Sequence, residues 1–340
     1  MRIFFLKRGK ANLGSNRIYI ENLSQYFSQI GIETVVSENI LPDFDYYILS
    51  KYSKFEDLNK IRQINDKKRV ICGIIHPSDL NHAGIQMLKS VDFAIVGSIE
   101  ERDYYLRYKK NIFRFPQIEK IETIKRKHTK KNKIVISYHG NLEHLEEMSS
   151  ATTQALERIH EKYNIELQVI YDKSLGTWRR GRPNIKVAEI DWTLDNVINY
   201  ISKSDIGIVP CTNNFFLDAP INYANPFSLF IKFFTGGKNR RLNDYILRFK
   251  STSNAGRSFI FHQLGIPVIA DFWPSNFEIL GAKDCGYLAH SENAWYNSLE
   301  KLICSEDLRN EISLNAQLLF EKNYKANDWA KKLISNIKSI

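Results

Sequence analysis

The sequence predicts an α/β protein of two parallel-sheet domains joined by a polar linker. Three observations carry that expectation. From Arg2 to Phe115 short apolar runs alternate with helical patterns, the rhythm of βαβ units. A second series of the same kind opens at Ile134. Between them, residues 117–133 (QIEKIETIKRKHTKKNK) are polar, lack apolar periodicity and end in a dense basic run. The expected division is 1–116, a linker 117–133, a second domain 134–326 and a closing helix 327–340; a chain of 340 residues gives each domain its own core.

In the first domain the expected strands are 2–6, 33–36, 46–50, 69–75, 93–97 and 112–115, and the expected helices are 17–30, 55–63, 82–91 and 99–108. The loop 7–16 carries Gly9, Gly14 and Ser15 ahead of a helix. Such a turn brings backbone close to a ligand, or is an ordinary surface connection. It is not GxGxxG, so the usual dinucleotide fingerprint is absent. His76 leaves the strand 70–75 at its C-terminal end, where open α/β sheets place ligands and where a near-neutral pKa is useful. The competing reading is a loop-capping His, with Asp79 as the N-cap of the next helix.

The composition is that of a folded globular chain, with 43% hydrophobic and 25% charged residues. No apolar run approaches the ~20 residues of a membrane span, and the apolar core of Met1–Lys7 is far shorter than that of a signal peptide. Cys72, Cys211, Cys285 and Cys304 show no metal-ligand spacing, and two of the four fall in or beside buried strands, which fits a reducing cytoplasm. Lys and Arg exceed Asp and Glu by 48 − 38 = 10, favouring anionic partners: nucleotides, acidic glycans, membrane surfaces or nucleic acid. A Lys-rich solvated surface reads the same way.

In the second domain the strands are expected at 134–138, 166–171, 185–190 and 206–210, with helices at 152–163 and 194–202. The turn after its first strand reads His139-Gly140-Asn141. Trp178-Arg179-Arg180-Gly181-Arg182 is a basic turn, a contact for acceptor or membrane or simply a solvated charge run. Residues 212–247 form an irregular insertion rich in Asn and Phe, of a length that usually signals function or a cover.

The stretch 248–280 (RFKSTSNAGRSFIFHQLGIPVIADFWPSNFEIL) holds the strongest local signal. Cations and small polar residues come first, Lys250, Ser253, Asn254, Gly256 and Arg257 among them. An apolar helix (258–264), the C-cap Gly265, a buried strand (266–270), a loop to Phe277 and Glu278 follow. Backbone N–H groups at the helix start and two full positive charges suit an anion, and Arg grips phosphate bidentately. The strand's C-terminal end adds a crevice to the same region. The implied ligand bears a phosphate.

This stretch resembles the donor-binding segment of GT-B glycosyltransferases, in particular the family-4-like group (glycosyl transferases group 1). There a basic residue, an apolar helical turn, Gly-x-Pro-Val-Ile-Ala, a loop and a Glu follow one another. Arg257 falls eight residues before Gly265 and Glu278 thirteen after it, as in that segment. The chain departs from the family where many members carry two glutamates, positions occupied here by Thr252 and Ile260. The family's Arg/Lys pair after the first glycine of the C-terminal domain is also unmatched, with His144 the nearest basic residue.

The resemblance implies two Rossmann-like domains facing across a cleft, with the last helix crossing back to the N-terminal one. It implies transfer of a sugar from a nucleotide-activated donor to a glycan or lipid-linked acceptor, in bacterial capsule, lipopolysaccharide or related surface polysaccharide synthesis. Lys250, Ser253, Asn254, Gly256, Arg257, Glu278, Gly140 and Asn141 would bind the donor. His76 would touch the transferred sugar, and Asp79 or His76 would be the base if the anomer inverts. Gly14 and Ser15 would face donor or acceptor. With no DxD pair in evidence, neither metal nor cofactor is expected, and the diphosphate charge would be met by Lys250 and Arg257. The expected setting is cytoplasmic, with peripheral contact to anionic membrane through basic patches and no nucleic acid partner. A nucleotide-sugar epimerase of the same architecture, a basic nucleic-acid binder and a non-catalytic scaffold are the alternatives.

Overall fold

The computed structural model describes residues 1–9, 13–64, 69–73, 82–146, 148, 150–210, 254–281 and 284–340. His76, Asp79, Lys250, Thr252, Ser253, Cys211 and the insertion 212–247 lie outside the described residues. The described chain divides into two compact units: unit 1 holds 1–123, 254–263 and 317–340, and unit 2 holds 124–210 and 264–316.

The first elements are β1 (Arg2–Leu6), α1 (Gly14–Asn16), α2 (Leu23–Gln29), β2 (Glu33–Ser37), β3 (Tyr46–Leu49), α3 (Phe55–Ile64), β4 (Arg69–Cys72), α4 (His82–Ser90), β5 (Phe93–Val96), α5 (Ile99–Tyr105) and β6 (Ile112–Arg114). Next come β7 (Ile134–His139), α6 (Leu142–Glu146), α7 (Ser150–Lys162), β8 (Ile165–Tyr171), β9 (Val187–Asp191), α8 (Leu194–Ile201) and β10 (Ile206–Val209). The described chain closes with α9 (Gly256–Gln263), β11 (Val268–Asp271), α10 (Pro274–Leu280), β12 (Tyr287–Ala289), α11 (Glu292–Cys304), α12 (Glu306–Asn323) and α13 (Ala326–Lys338).

Unit 1 is a parallel sheet of order β2-β1-β3-β4-β5-β6. Cover on both faces of the sheet explains why β1 is apolar from Ile3 to Leu6 once past Arg2. Ile3 and Phe5 pack beneath Ile18–Ile20, α2 and the α13 residues Ala330, Leu333, Ile334 and Ile337. Phe4 and Leu6 face the opposite layer, with Leu58, Ile61, Leu88 and Tyr105. The final helix thus belongs to the core of the N-terminal sheet. The expected helix 17–30 begins three residues early, at Gly14, and passes through a π-helical segment, Arg17–Asn22, before α2.

Unit 2 is a parallel sheet of order β12-β11-β10-β7-β8-β9. Counted from its own first strand this is 6-5-4-1-2-3, the doubly wound Rossmann order, with the chain reversing direction across the sheet between β7 and β10. Its core joins Ile136, Tyr138, Leu156, Leu167, Trp295 and Leu299.

Three local expectations change. The stretch 271–277, read as a loop, contains the start of α10, because Pro274 is pre-set for a first helical position and Trp273 enters it extended. Trp178, read within an exposed basic turn, is 1% exposed and donates Nε1–H to the carbonyls of Leu145 (3.2 Å) and Arg180 (2.8 Å). The basic run 125–133 is only partly solvated. Arg126 and Lys131 converge on the buried Asp205, at 3.3 and 2.6 Å, and Lys133 pairs with Glu166. His128 is buried, its Nε2 at 2.9 Å from the Gly265 carbonyl and 3.2 Å from Ser313 Oγ, while its backbone exchanges two hydrogen bonds with Asn310. Among the described residues no helix is long and apolar enough to cross a membrane.

Candidate functional site

In unit 2 the C-terminal edge of the sheet gathers the residues singled out in that half. β7 ends at His139, which is buried, and Gly140 follows with φ 142°, a conformation that L side chains rarely adopt. Gly140 N donates to Ile170 O at 3.0 Å, and Tyr138 Oη donates to the Asn141 carbonyl at 2.7 Å, so the turn is held from both sides while Asn141 itself is exposed. Two strands along, β11 ends at Asp271 and the chain turns into α10, which carries the half-buried Glu278. Asp271 is the hub of this turn: its carbonyl accepts from Asn276 Nδ2 (3.0 Å) and its Oδ1 from Trp295 Nε1 (3.3 Å). Gly140 and Asn141 therefore follow β7 at the switch between β7 and β10, the position at which open α/β sheets bind ligands, while Glu278 lies in the helix after β11, one strand beyond that switch.

The other described part of the donor segment belongs to unit 1. Asn254 Oδ1 accepts from Gly256 N at 3.0 Å, an Asx-type turn that opens α9. In this state the Gly256 N–H is taken by its neighbour. A Cβ at Gly256 would meet the Gln117 carbonyl oxygen at 3.2 Å and Asn254 Oδ1 at 2.9 Å, so the position tolerates no side chain without movement. Arg257 is half-buried at the first turn of α9, and Ile260 is in the core. Gly265 ends the segment with φ 68°, the expected helix stop.

The loop after β1 is tied down by charge. Lys7 pairs with Glu21 at 2.7 Å and Arg8 with Asp57 at 2.6 Å. Burial works against the Asp57 charge, but the Arg8 hydrogen bond and a backbone donor from Lys54 hold its carboxyl below the ordinary value. Gly14 and Ser15 are half-buried at the start of α1, and the next residue, Asn16, is buried and donates Nδ2–H to the Arg8 carbonyl at 2.6 Å. Arg17 forms a two-pronged pair with Glu119, one prong at 2.9 Å.

One group at the C-terminal edge of unit 1 was not singled out from the sequence. Glu101 is 2% exposed, and burial pushes its pKa up to about 8. Its Oε2 accepts from Gly97 N at 2.7 Å, while Ser98 Oγ accepts from Glu101 N at 3.2 Å. This is a capping box at the start of α5, and Ser98-Ile-Glu-Glu101 was readable as one. Gly97 is crowded, since a Cβ there would fall 2.5 Å from Tyr19 Oη.

No family model matches the chain and no curated protein matches it. Solved structures do match. HepE from Anabaena, in complex with UDP and glucose, is similar at 12% identity and TM-score 0.63, covering 100% of each chain. A glycosyltransferase from Rickettsia africae is similar at 12% identity and TM-score 0.63, covering 99% of this chain and 98% of that one. TarM, known from S. aureus, is similar at 11% identity and TM-score 0.55 over 86% of this chain, which spans only 54% of TarM's length. Together with the two six-stranded parallel sheets, these likenesses establish that the chain has the GT-B fold.

Proposed function

We propose that the protein transfers a sugar from a nucleotide-activated donor to a glycan or lipid-linked acceptor. The observation that supports this reading is the Gly140-Asn141 turn after β7 at the switch of a Rossmann-ordered sheet, with the helix that carries Glu278 following β11 in the same sheet. The likeness to HepE, whose structure holds UDP and glucose, supports it. In this reading Glu278 accepts from hydroxyls of the donor. Lys250 and Arg257, with loop amides between Ser253 and Gly256, counter the charge of the departing diphosphate. Charge stabilisation of that kind is commonly the largest single contribution to such a step, and it serves without a metal ion. His76 contacts the transferred sugar, and an inverting course would take its base from Asp79 or His76. The proposed setting is bacterial surface polysaccharide assembly at the inner face of the membrane. Of the linker's basic run, Arg126, Lys131 and Lys133 are already engaged by carboxylates, so contact with anionic lipid would fall to exposed residues such as Lys125, Lys127 and Lys130.

Thermal stabilisation by UDP, GDP, ADP, TDP and CMP tests the reading. One nucleotide, at a hundred times its dissociation constant, is expected to add about 2.7 kcal/mol, and Arg257→Ala is expected to abolish most of that gain while leaving the unliganded melting temperature nearly unchanged. Silence from all five nucleotides would refute a donor site of this class.

A further inference from the structure

The basic turn of unit 2, residues 172–182 (DKSLGTWRRGR), leaves the C-terminal end of β8, the strand beside β7 and its Gly140 turn. Its aromatic residue is inside and its leucine is outside. Trp178 is buried, with Nε1 held by the Leu145 and Arg180 carbonyls and its backbone N–H donated to Tyr171 Oη at 3.3 Å. Leu175 is 66% exposed, the largest value for any large apolar side chain among the described residues.

A hydrogen-bonded frame holds the leucine there. Asp172 caps a 3₁₀ turn, Lys173–Leu175, its Oδ1 accepting from Ser174 N at 3.0 Å and from Ser174 Oγ at 2.5 Å. Lys173 N donates to Asp191 Oδ1 at 3.0 Å, and Leu175 N to the Asp172 carbonyl at 3.2 Å. At the other end Thr153 Oγ1 donates to the Gly181 carbonyl at 2.8 Å, and Arg180 Nε to the Glu146 carbonyl at 3.2 Å. The fold therefore keeps an apolar side chain in water at a defined place, against the hydrophobic effect.

Cations flank it. The segment carries Lys173, Arg179, Arg180 and Arg182 against one acid, Asp172. Lys173, Arg179 and Arg180 are exposed, and among the described residues none of the three forms an ion pair. The nearby acids are occupied: Asp172 and Asp191 by the amides just named, and Glu189 by Arg182 and Tyr171 Oη.

A leucine among unpaired cations fits a surface that is anionic outside and apolar just beneath. Nucleic acid supplies the phosphates but leaves the leucine in water. A standard protein interface buries about 800 Å² per side around an apolar core, whereas the residues flanking Leu175 are the exposed Ser174, Gly176 and Thr177. A bilayer needs no complementary shape: one side chain enters the acyl boundary while the cations stay among the headgroups.

We propose that 172–182 is a membrane-docking loop, with Leu175 entering an anionic bilayer and Lys173, Arg179 and Arg180 lying among its phosphate groups. The loop supplies the apolar anchor that the linker lysines lack, and it brings the lipid surface to the sheet edge that carries the Gly140 turn. The inference stands without the sugar-transfer reading, and no nucleotide enters its test.

Co-sedimentation of the full chain with vesicles tests it, using equal parts phosphatidylglycerol and phosphatidylcholine against phosphatidylcholine alone. The mixed vesicles are expected to bind at least about tenfold more tightly, and added salt to reduce that difference. Leu175→Asp is expected to weaken binding to the mixed vesicles by about tenfold or more, and Lys173→Gln/Arg179→Gln by about tenfold. All three positions are exposed, so the melting temperature is expected to stay at that of the parent chain. Leu175→Trp, read as the difference from the parent chain with its five tryptophans, is expected to shift its emission to the blue on the mixed vesicles. Absence of vesicle binding, equal binding to phosphatidylcholine alone, indifference to Leu175→Asp, or an unshifted Leu175→Trp emission would each overturn the proposal. So would binding that is lost only in Lys125→Gln/Lys127→Gln/Lys130→Gln, which would move the contact to the linker.

Discussion

Replacing Trp295 with Ala is expected to lower the unfolding free energy of unit 2 by about 3–5 kcal/mol, the usual cost of deleting a fully buried Trp. Trp295 lies in α11 with no exposed surface, packed in the cluster that includes Tyr138, Leu299 and Ala289. Truncation removes the contacts of a large ring and leaves a cavity that the close-packed surroundings fill only in part. It also removes the indole N–H that reaches Asp271 Oδ1 at 3.3 Å. Asp271 closes β11 immediately before α10, so the lesion connects the core to the turn that presents Glu278. Trp295→Phe separates the two effects: it keeps most of the apolar contact and loses the hydrogen bond, at an expected cost of about 1 kcal/mol. Urea unfolding followed by far-ultraviolet circular dichroism is the measurement, with one transition expected to move and the stability of unit 1 retained. A Trp295→Ala loss below 1 kcal/mol would show that the ring is not the core element described here.

How much of this was legible beforehand follows from the range of the interactions involved. β1 and β7 are read almost to the residue, and β11 to within two residues, because their signal is local: a mostly apolar run buried on both faces, bounded by polar turns. The C-cap at Gly265 and the capping box Ser98–Glu101 are equally local, although the second was overlooked. Trp178 is different. Its charged neighbours suggest a surface turn, and its burial depends on the Leu145 carbonyl 33 positions earlier in the chain. His128 sits in a Lys-rich run and is buried because Gly265, Asn310 and Ser313, all more than a hundred residues away, supply its partners. α10 was obscured by Pro274 and two exposed phenylalanines, Phe272 and Phe277, which read as a loop although Pro at a first helical position starts helices. The candidate site was legible as spacing, Arg257 to Gly265 to Glu278. That the described structure assigns Asn254, Gly256 and Arg257 to unit 1 and Glu278 to unit 2 is a matter of long-range packing that spacing does not encode.

Stability is expected to peak near pH 6.5 and to fall on both sides, with different residues responsible for each limb. On the alkaline side the residue is Glu101. Burial raises its pKa from 4.5 to about 8, with Glu100 adding to the rise and Gly97 N, Ser98 N and Lys51 opposing it. Between those values the folded chain keeps a proton that the unfolded chain releases. The stabilising contribution is therefore complete below pH 4.5 and is lost as pH rises toward 8, with a slope of at most about 1.4 kcal/mol per pH unit. The acid limb comes from His262 and His128, which burial holds down at about 3 and about 4 from 6.5. Here the unfolded chain binds the extra protons, so stability is complete above pH 6.5 and is lost as pH falls. From 6.5 down to 4.5 the two histidines outweigh the one glutamate, and from 6.5 up to 8 the glutamate acts without them. Glu101→Gln keeps a carbonyl to accept from Gly97 N and removes the titration. Denaturant midpoints at pH 5, 6.5 and 8 are expected to show a flattened alkaline limb in that variant and a steeper acid limb, because the glutamate no longer opposes the two histidines between pH 4.5 and 6.5. An alkaline limb as steep as in the parent chain would assign the loss to a group other than Glu101.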